Sequence, residues 1–347
     1  MGGNVFTNRL TPRMPPSIYI PTRDRCHAIL SQYYTHICTP LEAPEKTSFG
    51  DIDILVHGPL TPGIPLKELG AALNAAAKIL PRTENPEANF AIPWPSSSVS
   101  RDEAAETPDA TESRDGQNRF IQVDVLALPT PTAFHFLSFT HAHSGLFTLL
   151  GPSLRQAGLI LTPTSLALRI PSIEAHRRRG STLPLTSNPS AILDFLGLER
   201  ERYWTRFESV EGMFEYVASS RLFTTRAREE GEEEEEKVKH RNRRNSRRPL
   251  FVRWKEDFLP RVSGEGKYDR LVPSREEVRE EAFLTWPPSR GLYEAQEREF
   301  EAERQLEDVG VERFVREMWM EVGRVGLERG FGRMVEKRQV KEEEGAA

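Results

Sequence analysis

The chain has 347 residues, of which 37% are hydrophobic, and its formal net charge is −5. This composition indicates a soluble globular protein, and the length suggests roughly two domains of about 150 residues each. No window approaches the ~18 to 20 consecutive apolar residues of a membrane span, and the N-terminus lacks the layout of a secretory signal. We therefore expect a cytoplasmic or nuclear protein with no membrane partner. The charge balance gives no global signature of nucleic-acid binding.

The N-terminal quarter of the chain combines helix and strand patterns. Residues 1–20 are rich in Gly, Asn and Pro and predict an irregular arm. Apolar residues at 3/4 spacing predict a helix over 21–37 and another over 65–80. Between them, the β-branched alternation of residues 51–56 predicts a strand.

Two further strands are predicted on either side of a long polar segment. Residues 89–94 and 119–128 are apolar and rich in β-branched or aromatic residues, as is typical of strands. The segment from 95 to 118 is Ser/Pro/Asp-rich and has no periodicity. We expect it to be a disordered loop between neighbouring strands.

The pattern then becomes mainly helical. Residues 134–158 predict helical pieces broken by glycine, and residues 159–170 predict a strand or a hairpin that turns at "TPT". Two helices are predicted within 187–198 and 209–223, the first with a Ser/Asn cap followed by proline and the second from apolar residues at helical spacing.

These patterns predict an α/β (α+β) protein in three parts. Residues 1–226 form the main domain, with a small mixed sheet and helices. Residues 227–248 are acidic and then basic and predict a solvated, low-complexity linker. Residues 249–347 predict a mainly helical C-terminal region.

The stretch "KTSFGDIDILV", residues 46–56, places two carboxylates in a strand that is otherwise apolar. In a strand, residues i and i+2 point to the same side, so Asp51 and Asp53 project together. Two carboxylates a few ångströms apart repel unless a cation lies between them. A divalent metal ion would relieve that repulsion, while a solvated D-x-D at a strand end is the alternative.

A third carboxylate favours the metal site. In "FIQVDVLAL", Asp124 stands alone among apolar strand residues, where an unpaired charge costs several kcal/mol. If the two strands are neighbours, Asp124 can lie beside Asp51 and Asp53. Oxygen ligands of this kind suit Mg²⁺ or Mn²⁺.

A "GDIDILV" strand, a helix and an "IQVDVLAL" strand together resemble the nucleotidyltransferase superfamily, and in particular its DNA polymerase beta-like branch. The resemblance covers roughly residues 41–226 and is most specific at the three aspartates. It implies that Asp51 and Asp53 bind two metal ions, and that Asp124 binds the catalytic ion and helps to activate the attacking hydroxyl. The implied substrates are an NTP and a hydroxyl acceptor, which would be a polynucleotide, a protein or a small molecule.

The resemblance also implies a set of nucleotide contacts. Phe139 and Thr140 match an aromatic-Thr turn under the nucleotide sugar, with His141 close by. The family's usual Gly-Ser phosphate-binding pair is replaced by Glu42 and Ala43. The remaining candidates for phosphate contact lie immediately before Asp51 and are Lys46, Ser48 and Gly50.

Two other patterns have alternative interpretations. His141 and His143 form an H-x-H pair, but no further ligands stand at zinc-site spacing, so we favour ordinary polar roles. The basic cluster near residue 240 is either a nuclear-localisation or polynucleotide contact, or a flexible linker that offsets its acidic half. Its members are Lys237, Lys239, Arg241, Arg243, Arg244, Arg247 and Arg248.

The leading hypothesis is a Mg²⁺-dependent nucleotidyltransferase. The altered phosphate-binding segment leaves a second hypothesis, a catalytically silent nucleotidyltransferase-like binding or scaffold protein. A third is a nucleic-acid-binding regulator that uses the basic cluster, whose binding would weaken steeply with salt.

Overall fold

A computed structural model of the chain describes residues 5–61, 66–80, 87–95, 119–226, 245 and 248–308. The chain forms two compact units. The first comprises Met1–Arg169 and Pro184–Thr285, and the second Ile170–Leu183 and Trp286–Ala347. The described residues leave out 96–118 of the loop predicted over 95–118, most of the linker predicted over 227–248, and residues 309–347.

A five-stranded mixed sheet lies at the centre of the first unit. Its strands are β1 (Tyr34–Cys38), β2 (Ile52–Pro59), β3 (Ala77–Ile79), β4 (Glu87–Pro93) and β5 (Phe120–Leu128). Their spatial order is β1-β2-β5-β4-β3, in which β2 and β5 are parallel and the other neighbours antiparallel. This mixed sheet with its helices confirms the predicted α+β class.

The two faces of the central strands differ in chemistry. Ile52 on β2 is the register partner of Val123 on β5, which in turn faces Phe90 on β4, and all three are fully buried in one core cluster. The helix α1 (Pro16–Leu30) adds Cys26 and Leu30 to the same cluster. Since strand side chains alternate, the next register row faces the other way, and it is polar.

The first predicted helix has different bounds in the structure. It begins at Pro16, inside the predicted arm, and ends at Leu30, where the Tyr33 N–H bonds to the Leu30 carbonyl at 2.9 Å. Residues 34–37, predicted as helix, lie in β1, which pairs with β2 so that His36 stands opposite His57. The helix prediction is wrong there because pairing with a distant strand overrides local periodicity.

The helix predicted over 65–80 is also shorter. Helix α2 spans Leu66–Ala72, and Asn74 adopts a left-handed φ of 54°, which ends the helical path. Beyond it, Ala77–Ile79 pair with β4 as the edge strand β3. The hydrogen bonds available at the edge of the sheet outweigh the helix propensity of alanine here.

The predicted hairpin near residue 162 is present. Strands β6 (Leu159–Leu161) and β7 (Leu166–Arg169) pair antiparallel. The Thr162 hydroxyl accepts the backbone N–H of Ser165 at 3.0 Å, which closes the turn. A third strand, β8 (Thr182–Thr186), follows β7 in this smaller sheet.

Both helices predicted within 187–198 and 209–223 are present, and both are capped. The Asn188 side chain accepts N–H groups at the start of α6 (Pro189–Phe195), and Ser209 does the same for α8 (Val210–Ser219). The remaining helices of this region are α3 (Pro131–His141), α4 (Leu146–Gln156), α5 (Pro171–Glu174) and α7 (Arg200–Trp204).

Residues 249–285 pack against α8 within the first unit. They form α9 (Pro249–Arg253), a π turn (Trp254–Phe258), α10 (Leu259–Gly264) and α11 (Arg275–Thr285). Phe214 of α8 contacts Trp254 edge to face at 5.2 Å between ring centroids, and Arg261 pairs with Glu211. The two compact units therefore divide the chain differently from the predicted domains.

The second unit brings α5 against α12 (Pro288–Asp308). Arg177 pairs with Glu303 at 2.6 Å and lies 4.9 Å from the ring centroid of Phe300. The Ser172 hydroxyl donates to Glu297 at 2.6 Å. Within the described parts of both units, no helix combines the length and apolarity needed to cross a membrane.

Candidate metal centre

Three aspartates meet at the start of β2. Asp53 on β2 is the register partner of Asp124 on the parallel strand β5, and Asp51 directly precedes β2. One carboxylate oxygen from each of the three lies within 4.8 Å of the others. Parallel pairing without a register slip produces this geometry, because a shift of one residue would turn Asp53 to the opposite face. The cluster can hold a metal ion.

The electrostatics of the cluster favour a cation. Desolvation, followed by the charges of Asp51, Asp124 and Glu42, raises the pKa of Asp53 to about 7, and Lys46 opposes this shift only in part. Asp53 nevertheless keeps an exposed surface, so a ligand from solvent can reach it. When neighbouring carboxylates raise one another's pKa, a bound cation stabilises their ionised form.

Asp124 is held by two amides that sequence reasoning missed. Desolvation raises its pKa to about 6, while hydrogen bonds from Asn89 and Gln122 act in the opposite direction. Gln122 stands two residues before Asp124 and shares its face, a signal available from the sequence. Asn89 is the register partner of Asp124 on β4, and that pairing has no signal in the sequence.

Glu42 adds a fourth carboxylate near the cluster, but it has partners of its own. The Lys46 ammonium donates to Glu42 at 2.6 Å, and the Tyr19 hydroxyl donates to it at 2.8 Å. Lys46 also lies 4.7 Å from the ring centroid of Phe49. Lys46, a predicted phosphate contact, is therefore engaged with Glu42.

Ser48, another predicted phosphate contact, is bonded to an arginine from the N-terminal segment. Arg13 donates from Nε to the Ser48 hydroxyl at 2.9 Å and from Nη2 to the Ser48 carbonyl at 2.7 Å. A backbone bridge between Met14 and Phe49, with N···O distances of 2.7 and 2.9 Å, fixes this approach. Gly50 is buried directly before Asp51. An exposed guanidinium is thus bonded to the residue that stands three positions before Asp51.

The aromatic-Thr turn predicted at Phe139 and Thr140 is wrong. Both residues lie in the last turn of α3, where the Thr140 hydroxyl donates to the Leu137 carbonyl at 3.3 Å. Phe139 is fully buried and packs on Tyr203 at 4.9 Å between ring centroids. The chain turns instead at residues 143–145, which have consecutive positive φ angles of 57°, 54° and 88°.

The histidine pair does not form a metal site in the described residues. His143 is fully buried, and its Nε2–H donates to the Tyr203 carbonyl at 2.7 Å. His141 is exposed at the end of α3. Across the described ranges, the one group of three or more possible metal ligands is the aspartate cluster.

The basic cluster falls almost entirely outside the described residues, which exclude Lys237, Lys239, Arg241, Arg243, Arg244 and Arg247. Its last member, Arg248, donates from Nη1 to the Thr148 hydroxyl at 3.1 Å, near the start of α4. Arg248 therefore has a structural partner, and the role of the other members stays a prediction.

Comparison with known proteins gives no family. No protein-family model matches this chain, and no curated protein is significantly similar to it in sequence. A function has to be inferred from the geometry and charge of the carboxylates.

Proposed function

We propose that this protein is a Mg²⁺-dependent nucleotidyltransferase that moves a nucleotidyl group from an NTP to a hydroxyl acceptor, with Mn²⁺ able to replace Mg²⁺. The observation that carries the proposal is the row formed by Asp53 and Asp124 on parallel neighbouring strands, with Asp51 completing a set of oxygens within 4.8 Å. The resemblance of "GDIDILV" and "IQVDVLAL" to the nucleotidyltransferase superfamily supports the same chemistry.

The donor set fits a hard divalent cation. Three carboxylates supply oxygen ligands only, the type that Mg²⁺ and Mn²⁺ prefer. Asp51, Asp53 and Asp124 would hold the metal. When bound, Mg²⁺ supplies positive charge that stabilises the entering and leaving oxygens of an in-line attack on the α-phosphate.

The protein's own residues orient the reaction. Asp51 and Asp53 present their carboxylates from the start of β2, so an ion that they hold would fix the position of the α-phosphate bound to it. Asp124 faces them from β5 and would hold the ion that activates the acceptor hydroxyl, whose proton is released to solvent. Its pKa of about 6 leaves it ionised at neutral pH, as a metal ligand must be.

Arg13 is the candidate for the triphosphate contact that the Gly-Ser pair would otherwise provide. An arginine has five N–H donors, so its two hydrogen bonds to Ser48 leave capacity for a phosphate. The negative charge of Glu42 is offset by Lys46 and Tyr19, which reduces its repulsion of a triphosphate.

A second candidate is a catalytically silent nucleotidyltransferase-like binding protein. The ion pair between Lys46 and Glu42 favours it, because it engages a lysine that an active enzyme would use on phosphate. In this case the aspartate cluster would bind a cation without transfer of a nucleotidyl group.

In the test, the protein is incubated with Mg²⁺ or Mn²⁺ and with one of the four α-labelled NTPs. Each mixture also contains one hydroxyl acceptor, which is RNA, a protein mixture or a polyol. The proposal expects transfer of label with release of pyrophosphate, abolished in Asp124→Ala and retained in Asp257→Ala, a surface control. Metal-dependent NTP binding without pyrophosphate release supports the silent protein. Failure of every NTP to bind under either metal contradicts both.

A further inference from the structure

A buried glutamine holds the third carboxylate of the cluster. Gln122 is 1% exposed and donates from Nε2 to both carboxylate oxygens of Asp124, at 3.0 Å to Oδ1 and 2.8 Å to Oδ2. Its Oε1 accepts the backbone N–H of Val5 at 3.1 Å. Because the carbonyl end is committed to a backbone donor, the NH₂ end has to face Asp124.

A second amide holds the same carboxylate from the next strand. Asn89, 8% exposed, donates from Nδ2 to Asp124 Oδ1 at 2.8 Å and to Glu87 Oε1 at 3.1 Å. It therefore lies between two carboxylates and gives each of them a donor. Rotation of the Asp124 carboxylate would break hydrogen bonds from its own strand, β5, and from the neighbouring strand β4.

The hydrogen bonds differ between the two oxygens of Asp124. Oδ1 accepts from both Asn89 and Gln122, which fills its two acceptor sites. Oδ2 accepts from Gln122 alone among the bonds described, so one acceptor site remains. The free site of Oδ2 is the one available to an incoming cation.

We propose that Gln122 and Asn89 are positioning residues that present Asp124 Oδ2 to a divalent cation, so that Asp124 binds it through one oxygen. Outer-shell donors of this kind orient the ligands that they contact. The inference rests on the cation site of the proposed function and is independent of nucleotidyl transfer. Because the backbone N–H of Val5 donates to Gln122, the N-terminal segment would contribute to cation binding.

The test measures Mn²⁺ affinity and thermal stability separately. Gln122→Met keeps the side-chain length and removes the donor, while Gln32→Met changes an exposed glutamine as the control. Free Mn²⁺ is followed by electron paramagnetic resonance at pH 8, and the melting temperature is measured in EDTA. We expect Gln122→Met to bind Mn²⁺ about 10- to 100-fold more weakly, and the control to match the wild type.

A second variant keeps the inference testable if Gln122→Met does not fold. Asn89→Ala removes one donor to Oδ1 and should weaken Mn²⁺ binding by about 10-fold. Unchanged Mn²⁺ affinity in the folded variants overturns the positioning role, as does a wild-type protein that binds no Mn²⁺. Wild-type Mn²⁺ binding without any label transfer overturns the transferase and leaves the positioning role standing.

Discussion

The first unit contains two polar regions that balance their charge in different ways. At the C-terminal end of α8, the guanidinium of Arg270 donates to the backbone carbonyls of Ala218, Ser220 and Phe223 at 2.9, 2.5 and 3.0 Å. Helix C-terminal carbonyls have no partner within the helix, and a cation there also complements the helix dipole. This region is complete without a ligand.

The aspartate cluster is the opposite case. Asp51, Asp53 and Asp124 bring like charges together, and Lys46, whose charge lowers the pKa of Asp53, is itself bonded to Glu42. Internal hydrogen bonds satisfy part of Asp124 but leave the negative charge in place. The Arg270 region is thus a polar site that stabilises the fold, whereas the aspartate cluster needs a cation from outside. The following predictions test that separation, from the largest effect to the smallest.

The largest effect is expected at the third carboxylate. Asp124→Ala removes a ligand of the ion that activates the acceptor hydroxyl, which is worth several kcal/mol of transition-state stabilisation. Label transfer from an α-labelled NTP should fall by about 1000-fold. Asp257→Ala, an exposed aspartate outside the cluster, should keep wild-type turnover. A variant Asp124→Ala with more than half of the wild-type rate would refute the assigned role.

The helix-end region should respond in stability and not in cation binding. Arg270→Met leaves several carbonyls without their donor, so the free energy of unfolding should fall by about 2–4 kcal/mol in urea denaturation. Arg226→Met, which breaks an exposed pair with Asp269, should cost less than about 1 kcal/mol. The comparison fails if Arg270→Met changes Mn²⁺ affinity or if its stability matches that of Arg226→Met.

The guanidinium beside Ser48 should affect the nucleotide and not the metal. Arg13→Ala removes a charged donor, so we expect about 10-fold weaker binding of a non-hydrolysable NTP, measured by calorimetry. Its affinity for Mn²⁺ without nucleotide should be unchanged. Arg25→Ala, an exposed arginine on α1, is the control and should bind NTP as the wild type does. Equal NTP affinity in Arg13→Ala and Arg25→Ala would show that Arg13 does not bind the triphosphate.

The smallest effect is the pH dependence of stability in EDTA. The pKa of Asp53 is raised from its ordinary value of 3.8 to about 7, so the folded protein binds a proton that the unfolded chain releases. This contribution is full below about pH 4 and is lost as the pH rises through 7. Asp53→Asn should therefore melt about 2–4 °C above the wild type at pH 8 and show a flatter pH profile. The explanation is wrong if Asp53→Asn melts below the wild type at that pH.

The central strands and the three aspartates were predictable from the sequence because their signals are local. Asp53 and Asp124 each interrupt a short apolar strand pattern, and period-2 alternation places Asp51 and Asp53 on one side of their strand. A one-residue shift would bury them, so the hydrophobic pattern also specifies the register.

The edge strands and the supporting polar residues were not predictable because their partners are distant in sequence. β1 and β3 have helical periodicity and become strands by pairing with β2 and β4. Arg13 meets Ser48 across 35 residues, and Asn89 meets Asp124 across the same separation. Such contacts depend on strand order, which local propensity does not specify.

The most direct test of the cation site is a Mn²⁺ titration of the wild type and Asp124→Ala by calorimetry at pH 8, where the raised pKa values leave the aspartates ionised. The site predicts saturable Mn²⁺ binding that raises the melting temperature of the wild type and is lost in Asp124→Ala. Absence of binding to the wild type, or equal binding to both proteins, would contradict it.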